Sequence, residues 1–401
     1  MKLADRGVTG GEHLPVDVDV LLPDTSRGLA PGHVEHRLAP GPEVLALGAA
    51  PHRPLEGVAV GVDEARKGEA VHRPIFYLLH VTRSLRRLAA TAALALLVVP
   101  AASARPLVAI FYYPWYGTPA LDGDYQMWTQ NGHAPPHDLY SAFFPWRGAY
   151  SSSDPNLVDR QMAEIAAAGV DEVVVSWWGW GSPTDRRLPS VIRAAQKYHL
   201  TVAVHIEPFE DRTAAAVAGD VKHLAELGIT DVYVFDPMKV TAAEWAAVRP
   251  TMPPVRLFAQ TGSVGFAAAA GFDGIYTYDI VTYTGDKFIR LCTQAHAAHL
   301  LCAPSVGPGY DAVRADGDHQ YKPRRGGGTY DAMWTAALNA WPDAVTITSY
   351  NEWGEGTQIE PARAVAGYAS YDGAWKLRGA AASRAYLDRT AYWAARLHIR
   401  P

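Results

Sequence analysis

Three glutamates stand close together in the segment SYNEWGEGTQIEPA, residues 349–362, at the end of an apolar run. Glu352 and Glu355 are three residues apart. If the segment turns helically, this spacing places both side chains on one face, with Cβ atoms about 5–6 Å apart. The pKa values of two carboxylates so close diverge, so that one group can hold a proton while the other is ionised. The pair could therefore perform acid and base chemistry.

Glu360 comes five residues after Glu355 and precedes Pro361, so we interpret it as a loop ligand or a structural acceptor. Three solvated glutamates are the alternative interpretation. Trp353 and Gly354 disfavour that alternative, because neither is an ordinary choice for an exposed surface.

The elements that must position these glutamates are short runs rich in Val, Ile, Phe and Tyr, separated by Ala-rich stretches with helical spacing. The runs lie at residues 107–113, 172–177, 201–206, 231–235, 255–259, 273–278, 300–304 and 344–350. Eight mostly apolar strands with helical connections predict an α/β protein with a parallel sheet closed into a (β/α)8 TIM barrel. A doubly wound open sheet is the alternative, disfavoured because no G-x-G-x-x-G follows the first strand.

The predicted strand ends combine aromatic and acidic residues, as in YYPWYG, SWWGW, HIEP, FDP, YTYD and SYNEW. Active sites of TIM barrels are built from the loops at this face. Aromatic rings stack on the apolar faces of sugars, and carboxylates bind hydroxyl groups or transfer protons. The pattern therefore predicts a carbohydrate site. The short spacing of Glu352 and Glu355 matches the carboxylate separation of about 5–5.5 Å found in retaining glycosidases.

Composition narrows the possible partners. The chain has 401 residues, 49% of them hydrophobic, and 36 Lys and Arg nearly balance 41 Asp and Glu. Without a long run of one charge, nucleic acid and anionic membranes are poor candidate partners. We expect a monomer that requires neither a metal nor another cofactor.

The residues before 105 differ from the rest. Residues 1–82 hold no regular hydrophobic period, and we predict an unstructured extension produced by a misplaced translation start. Residues 83–104 have the charged, apolar and small-residue order of a signal peptide, with a buried Ala/Leu helix as the alternative. We therefore expect a secreted or periplasmic protein whose catalytic domain spans residues 105–401.

Cys292 and Cys302, with His296 and His299 between them, are the residue types of a metal site with four protein ligands. A zinc site is disfavoured, because the histidines fall on a predicted helix and Cys302 on the next strand. A disulfide is the other possibility for an exported chain, although a helix and a strand can hold two cysteines too far apart to bridge. The sequence leaves this pairing open.

From about residue 107 onward the chain resembles glycoside hydrolase family 99, the endo-α-1,2-mannosidases and endo-α-1,2-mannanases. The matching segments are, in order, FYYPWYG, HAPP followed by YSSSDP, HIEPF, GFDGIYTY, PSVGPGY and SYNEWGEGTQIE. The resemblance implies a TIM barrel and a retaining, endo-acting hydrolase whose partner is an α-mannan or a high-mannose glycan. It also implies substrate contacts from Tyr113, Trp177, Glu207, Tyr278, Asn351 and Trp353.

The resemblance further implies that Glu352 acts as a base on the 2-hydroxyl of the sugar, which attacks C1 to give a 1,2-anhydro sugar. Glu355 would protonate the leaving oxygen and then activate water. Gly354 departs from the family pattern, which usually has His there, and this departure places substrate preference in doubt. A non-catalytic carbohydrate-binding barrel and a related hydrolase of another glycan are the alternative functions.

Overall fold

The computed structural model describes residues 105–209 and 212–399. The predicted extension at residues 1–82 and the predicted signal peptide at residues 83–104 lie outside these ranges. Among the described residues, no helix combines the length and the apolar character needed to cross a membrane.

Parallel strands form the barrel, and all the predicted strand runs are confirmed. They are β1 Leu107–Tyr112, β2 Glu172–Trp177, β3 Thr201–Ile206, β4 Asp231–Val234, β5 Arg256–Gln260, β6 Gly274–Tyr276, β7 Leu301–Ala303 and β8 Ala344–Ile347. β1 pairs with both β2 and β8, and the remaining strands pair in chain order up to β7.

The sheet closes through a short continuation of β7. Pro304 interrupts the strand, and Ser305–Val306 then pairs in parallel with Thr346 and Ile347 of β8. Proline cannot donate a hydrogen bond to a strand ladder, so a break at this position is expected. The prediction of a closed (β/α)8 barrel, rather than an open sheet, is therefore confirmed.

Helices follow the strands around the barrel. They are α1 Pro119–Asp122, α2 Pro155–Ala167, α3 Pro183–Lys197, α4 Ala214–Glu226, α5 Ala242–Val248, α6 Val264–Ala270, α7 Phe288–Ala297, α8 Gly328–Asn339, α9 Gly379–Ser383 and α10 Ala385–His398. α3 begins at Pro183, where Ser182 caps it by accepting a hydrogen bond from the Asp185 N–H, and it continues through Pro189.

The two cysteines form a disulfide that links α7 to β7. Cys292 and Cys302 are both buried, with Cα atoms 5.1 Å apart. The helix therefore packs close enough to the neighbouring strand for a bridge, which settles the pairing that the sequence left open. The described residues contain no cluster of three or more His, Cys, Asp or Glu side chains suited to a metal ion.

Charged and aromatic groups fill the barrel interior at its amino-terminal end. The Tyr233 hydroxyl donates to Glu172 Oε1 at 3.2 Å, and Asp231 pairs with Arg256 across the neighbouring strands. Burial, with the nearby charge of Asp231, raises the pKa of Glu172 to about 8. Glu172 is thus a buried acid that remains protonated at neutral pH.

Replacing Glu172 with Gln should make stability less dependent on pH. The folded state keeps the Glu172 proton, whereas the unfolded chain releases it above about pH 4.3, so this group's contribution to stability decreases as pH rises towards about 8. Glutamine does not ionise, so the melting temperature of Glu172→Gln should fall less than that of the parent between about pH 5 and pH 8. Exposed Glu226→Gln is the control, and parallel melting curves for parent and Glu172→Gln would contradict the prediction.

Candidate active site

The segment after β8 folds back on itself and carries the two candidate catalytic glutamates at its tip. The Ser349 N–H donates to the Thr357 carbonyl at 3.0 Å, the Ile359 N–H to the Ser349 carbonyl at 2.9 Å, and the Glu360 N–H to the Tyr350 carbonyl at 2.8 Å. We call residues 349–360 the β8 loop. Its tip is a hydrogen-bonded turn rather than a helix, but the turn still brings Glu352 and Glu355 together.

Glu352 is buried and held by its own loop. Its backbone N–H donates to Ser349 Oγ at 2.8 Å, and its carboxylate accepts from the Gly354 N–H at 3.0 Å. Burial and the charge of Glu355 raise the pKa of Glu352 well above its usual value, while the N–H groups of Gly354 and Glu355 oppose that shift.

Glu355 is partly exposed at the mouth of the barrel. Burial and the charge of Asp279 raise its pKa to about 8, and a hydrogen bond of 3.3 Å from the Tyr278 hydroxyl opposes this shift. A single phenol therefore stabilises the Glu355 anion, whereas two backbone N–H groups stabilise the Glu352 anion. When the pair carries one proton, the hydrogen bonds favour charge on Glu352 and the proton on Glu355.

Two hydrogen-bonded tyrosines lie beside the candidate carboxylates. The hydroxyls of Tyr113 and Tyr278 are 2.5 Å apart, and Tyr278 continues to Glu355. Burial and the charges of Glu207, Glu352 and Glu355 raise the pKa of both phenols well above the usual value. The structure thus brings these five predicted site residues together at the carboxyl ends of β1, β3, β6 and β8.

A hydrogen-bonded chain inside the barrel orients Glu207. Its Oε1 accepts from Ser176 Oγ at 2.8 Å and lies 3.1 Å from His205 Nδ1. The other ring nitrogen of His205, Nε2, is 2.8 Å from the Tyr276 hydroxyl. Neighbouring strands therefore fix the Glu207 carboxylate at the mouth of the barrel.

Trp177 was expected at the site, but the structure places it on the other side of the sheet. Its indole N–H donates to Asp185 of α3 at 2.9 Å, and its ring lies 6.5 Å from that of His223 of α4. Successive side chains of a strand point to opposite faces, and Ser176 is the one that points inward to Glu207. The prediction of a sugar contact from Trp177 is therefore corrected.

Trp178, after the end of β2, lies closer to the site. Its ring is 6.5 Å from Trp115, which in turn lies 4.7 Å from Tyr113. With 38% of its surface exposed, Trp178 extends an aromatic row away from the carboxylates. The sequence segment SWWGW marked this position without indicating which tryptophan faces the mouth.

Asn351 and Trp353 flank Glu352 but use their polar atoms within the protein. The Asn351 side-chain oxygen accepts a hydrogen bond from the Tyr113 N–H at 2.8 Å, and its side-chain nitrogen donates to the Tyr113 carbonyl at 3.0 Å. The Trp353 indole N–H donates to Glu360 Oε2 at 2.9 Å and contacts the Tyr150 hydroxyl at 3.1 Å. Both residues therefore support the β8 loop, which differs from their expected role as substrate contacts.

Arg324 holds the far side of the β8 loop in place. Its Nη2 donates to the carbonyls of Gly356 and Gln358 at 2.9 and 2.7 Å. The guanidinium lies 4.4–4.8 Å from the ring centres of Phe143, Tyr371 and Tyr386. This cation–π cage holds the cation in place without a carboxylate partner.

Arg324→Lys should loosen the β8 loop. A lysine ammonium lacks the planar fork and the stacking surface of arginine, so it cannot keep two carbonyls and three rings together. We expect faster hydrogen exchange in peptides covering residues 349–360 and a loss of about 2 kcal/mol of unfolding free energy. Exposed Arg325→Lys is the matched control. Unchanged exchange in Arg324→Lys would show that the cage does not stabilise the loop.

Comparisons with known proteins agree with this geometry. The chain matches the Glycosyl hydrolase family 99 model over residues 105–248 and 254–399. A glycoprotein endo-alpha-1,2-mannosidase-like protein from Danio rerio is 32% identical over 312 residues, which cover 63% of this chain and 70% of the relative. Glycoprotein endo-alpha-1,2-mannosidase from Mus musculus is 30% identical over 309 residues, with 63% and 67% covered.

A solved structure is similar over most of the barrel. The GH99 endo-alpha-mannosidase from Bacteroides thetaiotaomicron aligns with a TM-score of 0.66 and 28% identity, covering 72% of this chain and 97% of that one. The family match extends over nearly all the described residues, including those that form the site. The chain therefore belongs to glycosyl hydrolase family 99 and is a glycoside hydrolase built on a (β/α)8 barrel.

Proposed function

We propose that the protein is a retaining, endo-acting hydrolase of α-1,2-type mannosidic linkages, in which Glu352 is the base and Glu355 the acid. The observation that carries this proposal is the different hydrogen bonding of two adjacent carboxylates. Backbone N–H groups support negative charge on Glu352, whereas a single phenol hydroxyl supports it on Glu355. Burial raises the pKa of both groups, so the pair holds a proton at neutral pH, and this hydrogen bonding favours the proton on Glu355. The names of the similar mannosidases support the substrate class.

In the first step, Glu352 removes the proton from the 2-hydroxyl of the sugar. O2 attacks C1 as the bond from C1 to the leaving oxygen breaks, and Glu355 gives its proton to that oxygen. In the second step, Glu355 takes a proton from water, whose oxygen attacks C1. The bond from C1 to O2 then breaks, and O2 recovers its proton from Glu352. Two inversions at C1 leave the anomeric configuration unchanged.

The substrate class follows from the geometry that this reaction requires. O2 must lie opposite the leaving group, as it does in an axial α-mannoside, whereas an α-glucoside does not present its 2-hydroxyl in this way. Tyr113, Tyr278 and Glu207 surround the reacting pair and would bind hydroxyl groups. Trp115 and Trp178 would offer apolar faces to the neighbouring sugar.

The disulfide supports the proposal that this enzyme acts outside the cytosol. Structural disulfides persist mainly in oxidising compartments such as the periplasm and the extracellular space. Cys292 and Cys302 form such a bridge inside the catalytic domain. This agrees with the secretion signal predicted at residues 83–104.

The variant Glu355→Gln tests whether Glu355 is the catalytic acid. Its turnover of an unactivated α-mannoside should fall by about 10³-fold or more, with a much smaller loss on an aryl mannoside whose leaving group needs no proton. The decline of the parent's activity above about pH 8, where Glu355 loses its proton, should also disappear. Exposed Glu226→Gln is the control and should behave as the parent. Equal losses on both substrates would exclude Glu355 as the acid.

A 2-deoxy-2-fluoro mannoside with a reactive leaving group tests Glu352. If Glu352 were a nucleophile, the fluoro sugar would trap a glycosyl ester on it. If Glu352 instead deprotonates the 2-hydroxyl, fluorine removes the attacking group, and the compound should bind without reacting. Intact-protein mass spectrometry should therefore show no adduct, with Glu352→Gln as the reference. A stable covalent mass on Glu352 would overturn the assignment.

A further inference from the structure

A glycine separates the two catalytic glutamates, although the backbone there does not require one. Gly354 is absent from the residues with positive φ, so a side chain is conformationally allowed. Space is the constraint instead. A Cβ at position 354 would lie 2.7 Å from Tyr140 Cε2, 3.2 Å from the Tyr140 hydroxyl and 3.1 Å from Glu352 Oε1. The edge of the Tyr140 ring thus occupies the space beside Glu352 that any other residue at 354 would need.

Tyr140 is not free to move away from this position. It is 1% exposed, and its ring packs edge-on against Trp128. The preceding residue is anchored from both sides, because the Leu139 N–H donates to the Tyr368 hydroxyl at 2.7 Å and its carbonyl accepts from Arg314 at 2.9 Å. The ring is therefore a fixed wall of the site.

A second tyrosine connects Tyr140 to the backbone on both sides of Glu352. The Tyr116 hydroxyl donates to the Asn351 carbonyl at 2.7 Å and accepts from the Trp353 N–H at 3.2 Å. Because the Tyr116 proton is already used, the hydrogen bond of 3.2 Å between the two phenols has Tyr140 as its donor. The pair of phenols thus contacts residues 351 and 353 while the Tyr140 ring borders residue 354.

We infer that Tyr140 is a positioning residue for Glu352, and that Gly354 is present because it leaves room for the Tyr140 ring. The inference rests on the base role proposed above for Glu352. The wall confines the carboxylate on the side where it accepts from the Gly354 N–H, and it excludes water from that side.

A double-mutant cycle between positions 140 and 354 tests this pairing. Gly354→Ala should lower kcat by about 100-fold, because a displacement of about 1 Å at a catalytic group has that effect. Tyr140→Ala should also lower kcat, with less change in KM. The kcat of the double variant should be no lower than that of the less active single variant, since the added methyl group then enters the space that the Tyr140 ring has left. Gly265→Ala, in open space on α6, is the control and should retain parental activity.

Tyr140→Phe separates the ring from its hydroxyl. It keeps the wall but loses the hydrogen bond to Tyr116, so its kcat should lie between those of the parent and Tyr140→Ala. If the losses in kcat of the two single variants multiply in the double variant, the two positions act independently. That result would overturn the pairing. Activity in Tyr140→Ala equal to that of the parent would overturn the positioning role.

A readout without substrate keeps this inference separate from the proposed function. Carboxyl ¹³C signals of labelled protein can be titrated, with Glu352→Gln assigning the Glu352 signal. Opening the wall in Tyr140→Ala should admit water and shift the Glu352 midpoint downwards, whereas Tyr140→Phe should move it less. An unchanged midpoint in Tyr140→Ala would overturn the inference even if the enzyme is active. Failure of the parent to cleave any α-mannoside would refute only the proposed function, because this titration still decides the role of Tyr140.

Discussion

The burial of Glu360 is the constraint on which the geometry of the active site depends. Its side chain is 1% exposed, and each of its two carboxylate oxygens accepts two hydrogen bonds. The donors are Arg147 and Gln161 on Oε1, and Tyr150 and Trp353 on Oε2, at 2.7–3.2 Å. A buried carboxylate is tolerated only when it is paired and fully hydrogen-bonded, and removing one donor from such a group is costly. Glu360 therefore fixes the end of the β8 loop to the surrounding protein.

This network extends beyond the loop to the elements that form the barrel wall. Gln161 of α2 accepts a hydrogen bond from the Tyr112 hydroxyl at the end of β1, and Arg147 also pairs with Glu164 of α2. The strand that supplies Tyr113 and the loop that supplies Glu352 are thus joined through one helix. With the Arg324 cage on the other side, the β8 loop is held at both edges. This support holds the two carboxyl groups at the tip of the loop close to each other.

The sequence predicted the barrel well because mostly apolar strands and Ala-rich helices differ in period. The resemblance to the family implied roles for Glu207, Tyr113 and Tyr278, and all three lie at the carboxyl ends of barrel strands, which meet at one face. Trp177 was misplaced because one residue along a strand reverses the direction of the side chain. The sequence segment alone does not show whether Ser176 or Trp177 points inward. In the structure, Ser176 points inward, where its hydroxyl donates to Glu207. Trp177 points outward, where its indole N–H donates to Asp185 of α3.

Tyr140 shows a further limit of local reasoning. Gly354 is only two residues from Glu352, so a sequence reading connects it with the loop or with the substrate. The structure instead connects it with a ring more than two hundred residues earlier, brought there by a segment anchored through Arg314 and Tyr368. Long-range contacts of this kind leave no periodic signal. If the Tyr140 ring determines which residue fits at 354, then the two positions form one unit, and the chemistry of the loop motif cannot be judged from the motif alone.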